Sequence, residues 1–451
     1  MKTNLFFSTT KLWLALIVLL TGYSVKPEAQ NIKQDEEAIK PMEGYPASAE
    51  SQVTLMNAFE QPYNNWAFRN ATVFPSLMVP RGGDIFMFSE DEQTNIVDHQ
   101  FSDTNDMTVM DALVGDDTDG IIIIKNGKIR YEKYFGDFKE NNSHIWASST
   151  KSLMSMLTGI LVEEGLIDLN RTVESYLPEM KGSAFDGLTL QQVMNMVSAI
   201  NYSEDYADLR PGTIHFEYFR RIGFVPAFDL MATDPLEDDT PRGILGFLPN
   251  LERHPDKTPG EQFEYHSPNV DIIGLIISRV TNQSLEEVIS ERIWQKLGTE
   301  HDAQMLTDAA FNPIATGGFM TTLRDFARFG YAILNDGMIN GQQVFPKSFI
   351  DETISLSKED RLSCERSVYR ADPDGVMYDS QLRGYKNFWW IHDSEAKVFT
   401  ARGVYGQGLY IDKENDVIIA HFGSASSASN SARPSNKTKM KAFEYIAKNL
   451  K

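Results

Sequence analysis

A single cysteine, Cys364, stands among 451 residues. With no second thiol the chain forms no internal disulfide, and no multi-cysteine zinc or iron–sulfur site can be assembled. No histidine motif accompanies Cys364, which therefore reads as a small packed residue. Basic residues are also scarce: 42 Lys and Arg against 63 Asp and Glu leave a formal charge of −21. A surface of that sign repels phosphate backbones and anionic bilayers, so neither nucleic acid nor a membrane surface is expected as a partner. Long apolar runs are missing too. The one pronounced run, Leu12 to Leu20, is short of the ~20 residues that span a bilayer. Lys2 and Lys11 precede it and Gly22 and Ser24 follow it, the order of a secretory signal cleaved after Ser24. Residues 1–24 are thus expected to be an export signal, 25–55 a polar leader and 56–451 the folded domain. No stable membrane span is expected once the signal is removed, and the mature chain is expected in a periplasmic or extracellular space.

Several catalytic signatures are absent. There is no G-x-S-x-G elbow, no G-x-x-x-x-G-K-[ST] and no H-E-x-x-H. The 8 histidines are scattered without metal-ligand spacing. What the chain has is core material: 42% of residues are apolar and 11% aromatic, far from a disordered composition.

The first clear element is a hairpin. Ile121–Ile124 meets Lys128–Tyr131 across Asn126-Gly127, a two-residue turn that needs positive φ. A buried helix follows from about Thr150 to Glu164, apolar on more than one face, with Gly165 as its stop. Helical patterns recur at Val270–Val280, Leu285–Leu297, Thr322–Leu334 and Thr438–Asn449. Short β-type runs lie at Val398–Val404, Gly408–Ile411 and Val417–Phe422. Strands at both ends of the chain predict an α/β fold with one antiparallel sheet flanked by helices. The turn-rich middle, about 170–260, reads as an inserted, mostly helical subdomain.

Chemistry enters at Ser148-Ser149-Thr150-Lys151. The S-x-x-K pattern also occurs at Ser8/Lys11, Ser355/Lys358 and Ser394/Lys397, but only Ser148 opens a buried helix. There the i, i+3 spacing puts lysine and serine on one face. Burial lowers a lysine's pKa and leaves an amine able to act as a base, while the helix N-terminus offers N–H groups to an oxyanion. An N-cap serine with a snorkelling lysine fits the same segment equally well. Downstream, Pro259-Gly260-Glu261-Gln262-Phe263-Glu264-Tyr265-His266-Ser267 runs straight into an apolar helix, so Tyr265 sits on a loop just before it. A tyrosine near a lysine relays protons; a half-buried aromatic that orients the helix is the plainer account. In Ala401-Arg402-Gly403-Val404-Tyr405-Gly406-Gln407-Gly408, three glycines in an edge-strand region indicate close approach of another backbone or a ligand, or a bulged turn. Trp389 and Trp390, just before it, read as core packing rather than a substrate wall.

The order S-x-x-K, then Y-x-[NS], then a glycine-rich terminal strand resembles the serine β-lactamase and penicillin-binding superfamily. Within its class C-related branch the chain is similar to 6-aminohexanoate-dimer hydrolases and their esterase relatives. The resemblance runs from about residue 60 to the end, through Ser148–Lys151, Glu164–Asp168, Gln191–Asn201, Pro259–Thr281, Gly317–Phe329 and Gly403–Ser424. It implies Ser148 as nucleophile, Lys151 as the group that takes its proton, and Tyr265 as the shuttle to the leaving group. It implies Ser267 and Gly403 as substrate-side contacts, and Val404 N–H beside Ser148 N–H as oxyanion donors. Ala401-Arg402-Gly403 stands where β-lactamases of this kind carry K-[TS]-G, and Ser267 where they carry Asn. Two polar partners of a β-lactam are therefore missing, and the resemblance implies acyl transfer to water from a small-molecule or short-peptide amide or ester, with no metal or organic cofactor. A DD-peptidase or β-lactamase, a non-catalytic binding module on the same fold and a metallo-hydrolase are the alternatives.

Overall fold

The computed structural model describes residues 39–70, 73–101, 107–114, 118–206, 208, 210–222, 243–308, 310–367, 370, 382–395, 397–428 and 435–451. Residues 1–24, expected as an export signal, and the first part of the expected polar leader lie outside the described residues. Residues 39–55 are turns, closed by Met42 N–H donating to the Ser51 carbonyl at 2.7 Å.

Fourteen strands are described. They are β1 (Ser76–Val79), β2 (Ser89–Glu90), β3 (Thr118–Lys125), β4 (Lys128–Tyr134), β5 (His144–Ile145), β6 (Ala303–Leu306) and β7 (Phe319–Thr321). The rest are β8 (Met338–Ile339), β9 (Gln342–Gln343), β10 (Gly384–Lys386), β11 (Trp389–Asp393), β12 (Val398–Gly403), β13 (Gln407–Asp412) and β14 (Val417–Gly423). The main sheet has the order β10-β11-β12-β13-β14-β3-β4-β2, antiparallel throughout except for the β2–β4 edge. Both ends of the chain meet where β14 pairs with β3, Ile419 opposite Ile123. The expected α/β fold with one antiparallel sheet from N- and C-terminal strands is what forms.

The isoleucine run explains itself by alternation. Ile122 and Ile124 face a core with the helices α1 (Thr150–Glu163), α3 (Pro268–Thr281) and α4 (Leu323–Leu334), while α2 (Ile214–Ile222) adds Tyr218 and Ile222 to it. Ile121 and Ile123 face a second core with Ala442, Phe443 and Ile446 of α5 (Ser435–Asn449). A strand covered on both faces needs no polar alternation, which is why the run is continuous. Its turn has Asn126 at φ 54° and Gly127 at φ 70°, the two positive angles the sequence demands. Helix α1 is buried on nearly every face and ends at Gly165, φ 73°, with Leu166 N–H bonded back to Leu161.

A smaller sheet, β1-β6-β7-β5, delivers the chain into the site. Its strand β5 is pinned to β3 by buried polar groups: His144 Nε2 lies 2.8 Å from Asp119 Oδ2, and Arg69 Nε donates to Asp119 Oδ1 at 2.9 Å. The sequence predicts one helix over Leu285–Leu297. Instead an α-helix covers Leu285–Ile289 and a π-turn Ser290–Trp294, because Ser290 donates its hydroxyl to the Pro80 carbonyl and its own carbonyl accepts from Gln295 N–H. Hairpin β10–β11 was not foreseen; it incorporates Trp389 and Trp390 as buried strand residues. Among the described residues no helix is long and apolar enough to cross a membrane.

Candidate active site

Strand β5 ends at Ile145, and Trp146 then anchors the turn that follows. Its backbone N–H donates to the Phe319 carbonyl at 2.8 Å and its indole N–H to Thr321 Oγ1 at 2.7 Å. Ala147 takes φ 45°, a left-handed angle that a β-carbon makes costly and that is tolerated only where surrounding contacts hold it. This bend opens a 3-10 turn, Ala147–Ser149, that runs into α1. Ser148 in this turn and Lys151 in the first turn of α1 stand three residues apart, which puts both side chains on one face.

Lys151 Nζ lies 3.0 Å from Ser148 Oγ. It also lies 2.8 Å from the Thr316 carbonyl oxygen and 2.8 Å from Thr316 Oγ1. Thr316 Oγ1 donates its own hydrogen to the Ser267 carbonyl at 3.3 Å, so it meets Lys151 as an acceptor. A neutral amine has two N–H bonds and one lone pair. In that neutral form Thr316 would take both N–H bonds, leaving the lone pair for the serine hydroxyl; in the ammonium form the third N–H donates to Ser148 Oγ. Lys151 is 1% exposed, and that burial brings its pKa down to about 8, against an upward pull from Glu204 and Asp271. The second of these, Asp271 on α3, accepts from Tyr218 at 2.7 Å, and burial pushes its own pKa up to about 7. Lysine and serine are therefore engaged with each other, and the snorkelling-lysine alternative falls away.

Tyr265 is 6% exposed, its ring centroid 5.2 Å from Lys151 Nζ. The ring stacks on Trp390 of β11 at 5.4 Å and meets Tyr385 of β10 edge-on at 5.9 Å. Backbone bonds fix its approach: Gly260 N–H donates to Val197, Phe263 N–H to Ser363 and Glu264 N–H to Met196. Ser267, at the start of α3, gives its backbone N–H to Glu204 Oε2 at 2.6 Å and its hydroxyl to Glu204 Oε1 at 2.8 Å. Tyr206 donates to the same carboxylate at 2.7 Å. The hydroxyl of Ser267 is thus turned toward a carboxylate that the sequence reading did not anticipate.

Gly403, at the end of β12, lies directly against the turn before the serine. A β-carbon there would sit 2.5 Å from the Trp146 carbonyl oxygen and 3.1 Å from Ala147 Cβ. Only glycine allows this approach. Val404 is the next residue, the first of the Val404–Gly406 turn. Ser148, Lys151, Tyr265, Ser267 and Gly403 thus converge from β5–α1, the start of α3 and the end of β12. Sequence reading missed Thr316, Glu204, Asp271 and the Trp390 stack. Thr316 immediately precedes the glycine pair Gly317-Gly318, its only local signal. Among the described residues no three His, Cys, Asp or Glu side chains gather as a metal site would require.

The fold, an antiparallel sheet with a buried S-x-x-K helix against it, is that of serine hydrolases. A family model described as Beta-lactamase matches residues 110–437, and the chain belongs to that family. It is 28% identical over 381 residues, 84% of this chain and 90% of the other, to the 6-aminohexanoate-dimer hydrolase of Paenarthrobacter ureafaciens. The solved structure "Putative 6-aminohexanoate-dimer hydrolase from Bacillus anthracis" superimposes with a TM-score of 0.76 at 28% identity, covering 90% of this chain and 98% of that one. EstCE1, "a hydrolase with promiscuous acyltransferase activity", shares the fold at a TM-score of 0.53 and 13% identity, over 75% of this chain and 97% of its own.

Proposed function

We propose that the chain is an exported hydrolase of linear amides and short esters that works through an acyl-enzyme on Ser148. The observation that carries this reading is the buried Lys151 amine, 3.0 Å from Ser148 Oγ and 2.8 Å from both the carbonyl and the hydroxyl oxygen of Thr316. Ser148 Oγ attacks the substrate carbonyl while its proton passes to Lys151 Nζ. The C–O bond forms as the C=O π pair moves to oxygen, and that oxyanion is held by Ser148 N–H and Val404 N–H. Tyr265 hands a proton to the leaving nitrogen or oxygen as the scissile bond breaks, and is reprotonated from Lys151. Water then attacks the ester with the same groups in reverse, releasing the acid and the free serine. None of these steps requires a metal or organic cofactor. Intact Ser148, Lys151 and Tyr265 weigh against a purely binding role.

The likeness to a 6-aminohexanoate-dimer hydrolase supports linear ω-amino-acid amides as the substrate class. Ala401, where β-lactamases carry lysine, supports linear amides over β-lactams. The basic, apolar and small-residue order of residues 1–24 supports export. A fluorophosphonate probe is expected to add one phosphonyl group, mapped by mass spectrometry to the peptide containing Ser148. Among 6-aminohexanoate dimer, p-nitrophenyl acetate, a D-Ala-D-Ala peptide and nitrocefin, the first two are expected to turn over fastest. A label on another residue would displace Ser148, and nitrocefin as the best substrate would overturn the linear-amide reading.

Gly403→Ala supplies a geometric check on the donor strand. The added methyl meets the Trp146 carbonyl, forcing β12 away from the serine turn. Turnover of p-nitrophenyl acetate is expected to fall by about 10²–10³, the usual worth of one oxyanion donor, with KM little changed. Turnover within threefold of the parent would place the second donor elsewhere.

A further inference from the structure

His421 is a buried titratable side chain, 1% exposed, that no step of the proposed reaction uses. It lies on β14 opposite Ile121, on the sheet face covered by α5. Aliphatic residues fill that face around it: Val417 and Ile419 on its own strand and Ile121 beside it. An imidazole there is costly unless its nitrogens are engaged. Its Nδ1 lies 2.7 Å from the Gly406 carbonyl oxygen. A carbonyl only accepts, so Nδ1 carries the hydrogen. Its Nε2 faces Thr118 Oγ1 at 2.9 Å and Lys439 Nζ of α5 at 3.4 Å. Burial, with Lys439 adding to it, holds the ring's pKa well below the ordinary histidine value, against upward pulls from the Gly406 and Leu113 backbone; it is the Nδ1 contact that places a hydrogen toward Gly406.

Gly406 closes the Val404–Gly406 turn, and every carbonyl of that turn is tied down. The Val404 oxygen accepts from Gln407 Nε2 at 3.2 Å, and the same amide clasps Gly423 through its carbonyl (2.6 Å) and its N–H (3.1 Å). The Tyr405 oxygen accepts from Ala425 N–H at 3.1 Å. The Gly406 oxygen accepts from His421. Tyr405 needs this support, because its φ of 62° is unfavourable for a side-chain-bearing residue. Without the bond the half-buried Gly406 carbonyl loses its partner and the turn is free to relax toward ordinary angles. Its first residue is the one whose N–H is proposed as oxyanion donor.

We propose that His421 is a positioning residue for acyl transfer: by holding Gly406 from the far side of the sheet, it fixes the turn that aims Val404 N–H at the oxyanion. This rests on the acyl-enzyme reading of Ser148. The full chain is compared with His421→Leu, His421→Asn and His421→Gln, using p-nitrophenyl acetate turnover, fluorophosphonate labelling rate and thermal melting. An asparagine Nδ2 falls where Nδ1 of the imidazole was, whereas a glutamine amide reaches past it. His421→Leu is expected to lower kcat and the labelling rate together, by about ten- to a hundredfold, with KM within a factor of about three, since a donor is displaced rather than deleted. His421→Asn is expected to restore most of that loss and His421→Gln not to. A folded leucine variant with parental kcat overturns the proposal. So do Asn and Gln variants of equal rate, a comparison that serves also where the leucine variant fails to fold. Ser148→Ala in the same assay separates the two readings: if that variant is inactive while His421→Leu is unimpaired, only the positioning role fails.

Discussion

Ser148→Ala is expected to abolish hydrolysis of p-nitrophenyl acetate and of linear amides, by about 10⁴-fold or more, while the protein melts within a few degrees of the parent. The size of the effect follows from the role proposed for the hydroxyl: it is the group to be acylated, and removing a nucleophile from a set that acts as a unit removes most of the catalysis at once. The small effect on stability follows from its surroundings. Ser148 is half-buried at a turn and packs no core layer; its hydroxyl's partner in the structure is Lys151 Nζ, which keeps its two bonds to Thr316 without it. The fold of the turn is held by Trp146 and by the Gly403 contact, neither of which involves the serine oxygen. Residual turnover should come from the oxyanion donors and binding alone. Turnover within tenfold of the parent in a folded variant would mean that water is activated directly, and the acyl-enzyme would have to be abandoned. The covalent probe gives an independent reading, because it must fail to label the same variant.

What the sequence reveals and what it hides divide along physical lines. The β3–β4 hairpin is legible because its turn, Asn126-Gly127, states its own conformation. Helix α1 is legible because its apolar residues cover more than one face over fourteen positions. Hairpin β10–β11 is not, since its turn places Asn387 at φ 47° and Phe388 at φ 61°. A phenylalanine at a positive angle contradicts every local preference. It is held there from outside: Phe388 N–H donates to Met194, and Ser152 next to the site lysine donates to the Phe388 carbonyl. The small sheet is invisible for another reason. Its strands are two to four residues long, too short for a period of two to register.

The candidate site divides in the same way. Ser148 and Lys151 are close in sequence, so spacing alone brings them together. Tyr265 has no such spacing; its place on a loop before an apolar helix marks it as a candidate, and the family motif implies its role. Thr316 and Glu204 arrive from segments that are irregular on both sides of them; nothing local marks Glu204, and only the following Gly317-Gly318 pair marks Thr316. Ser267 shows how this matters. Its family position marks it as a substrate contact, yet its hydroxyl and N–H are both engaged by Glu204, a carboxylate 63 residues away that spacing cannot supply.

Lys151 carries the second large expectation. Burial is the first cause of its lowered pKa, and in the proposed reaction the reacting form is the neutral amine. Activity therefore follows the deprotonated fraction: kcat/KM should rise with unit slope as pH climbs, bend near pH 8 and level off above it. Both Lys151→Met and Lys151→Arg are expected to lose about 10²–10⁴-fold, the usual contribution of a positioned base. Arginine is the sharper variant, because its guanidinium keeps the positive charge but has no lone pair to accept a proton. An active arginine variant would turn Lys151 into a fixed cation rather than a base. The sign of a further shift can be worked out from its neighbours. Glu204 and Asp271 are the anionic groups that raise the lysine's pKa, so removing either charge favours the neutral amine. Asp271→Asn keeps nearly the same shape, and its acid limb is expected to move to lower pH while the plateau rate changes less. If that limb stays in place in a variant that melts normally, the buried carboxylate does not set the lysine's protonation, and the pH at which the enzyme switches on is decided by burial and Glu204 alone.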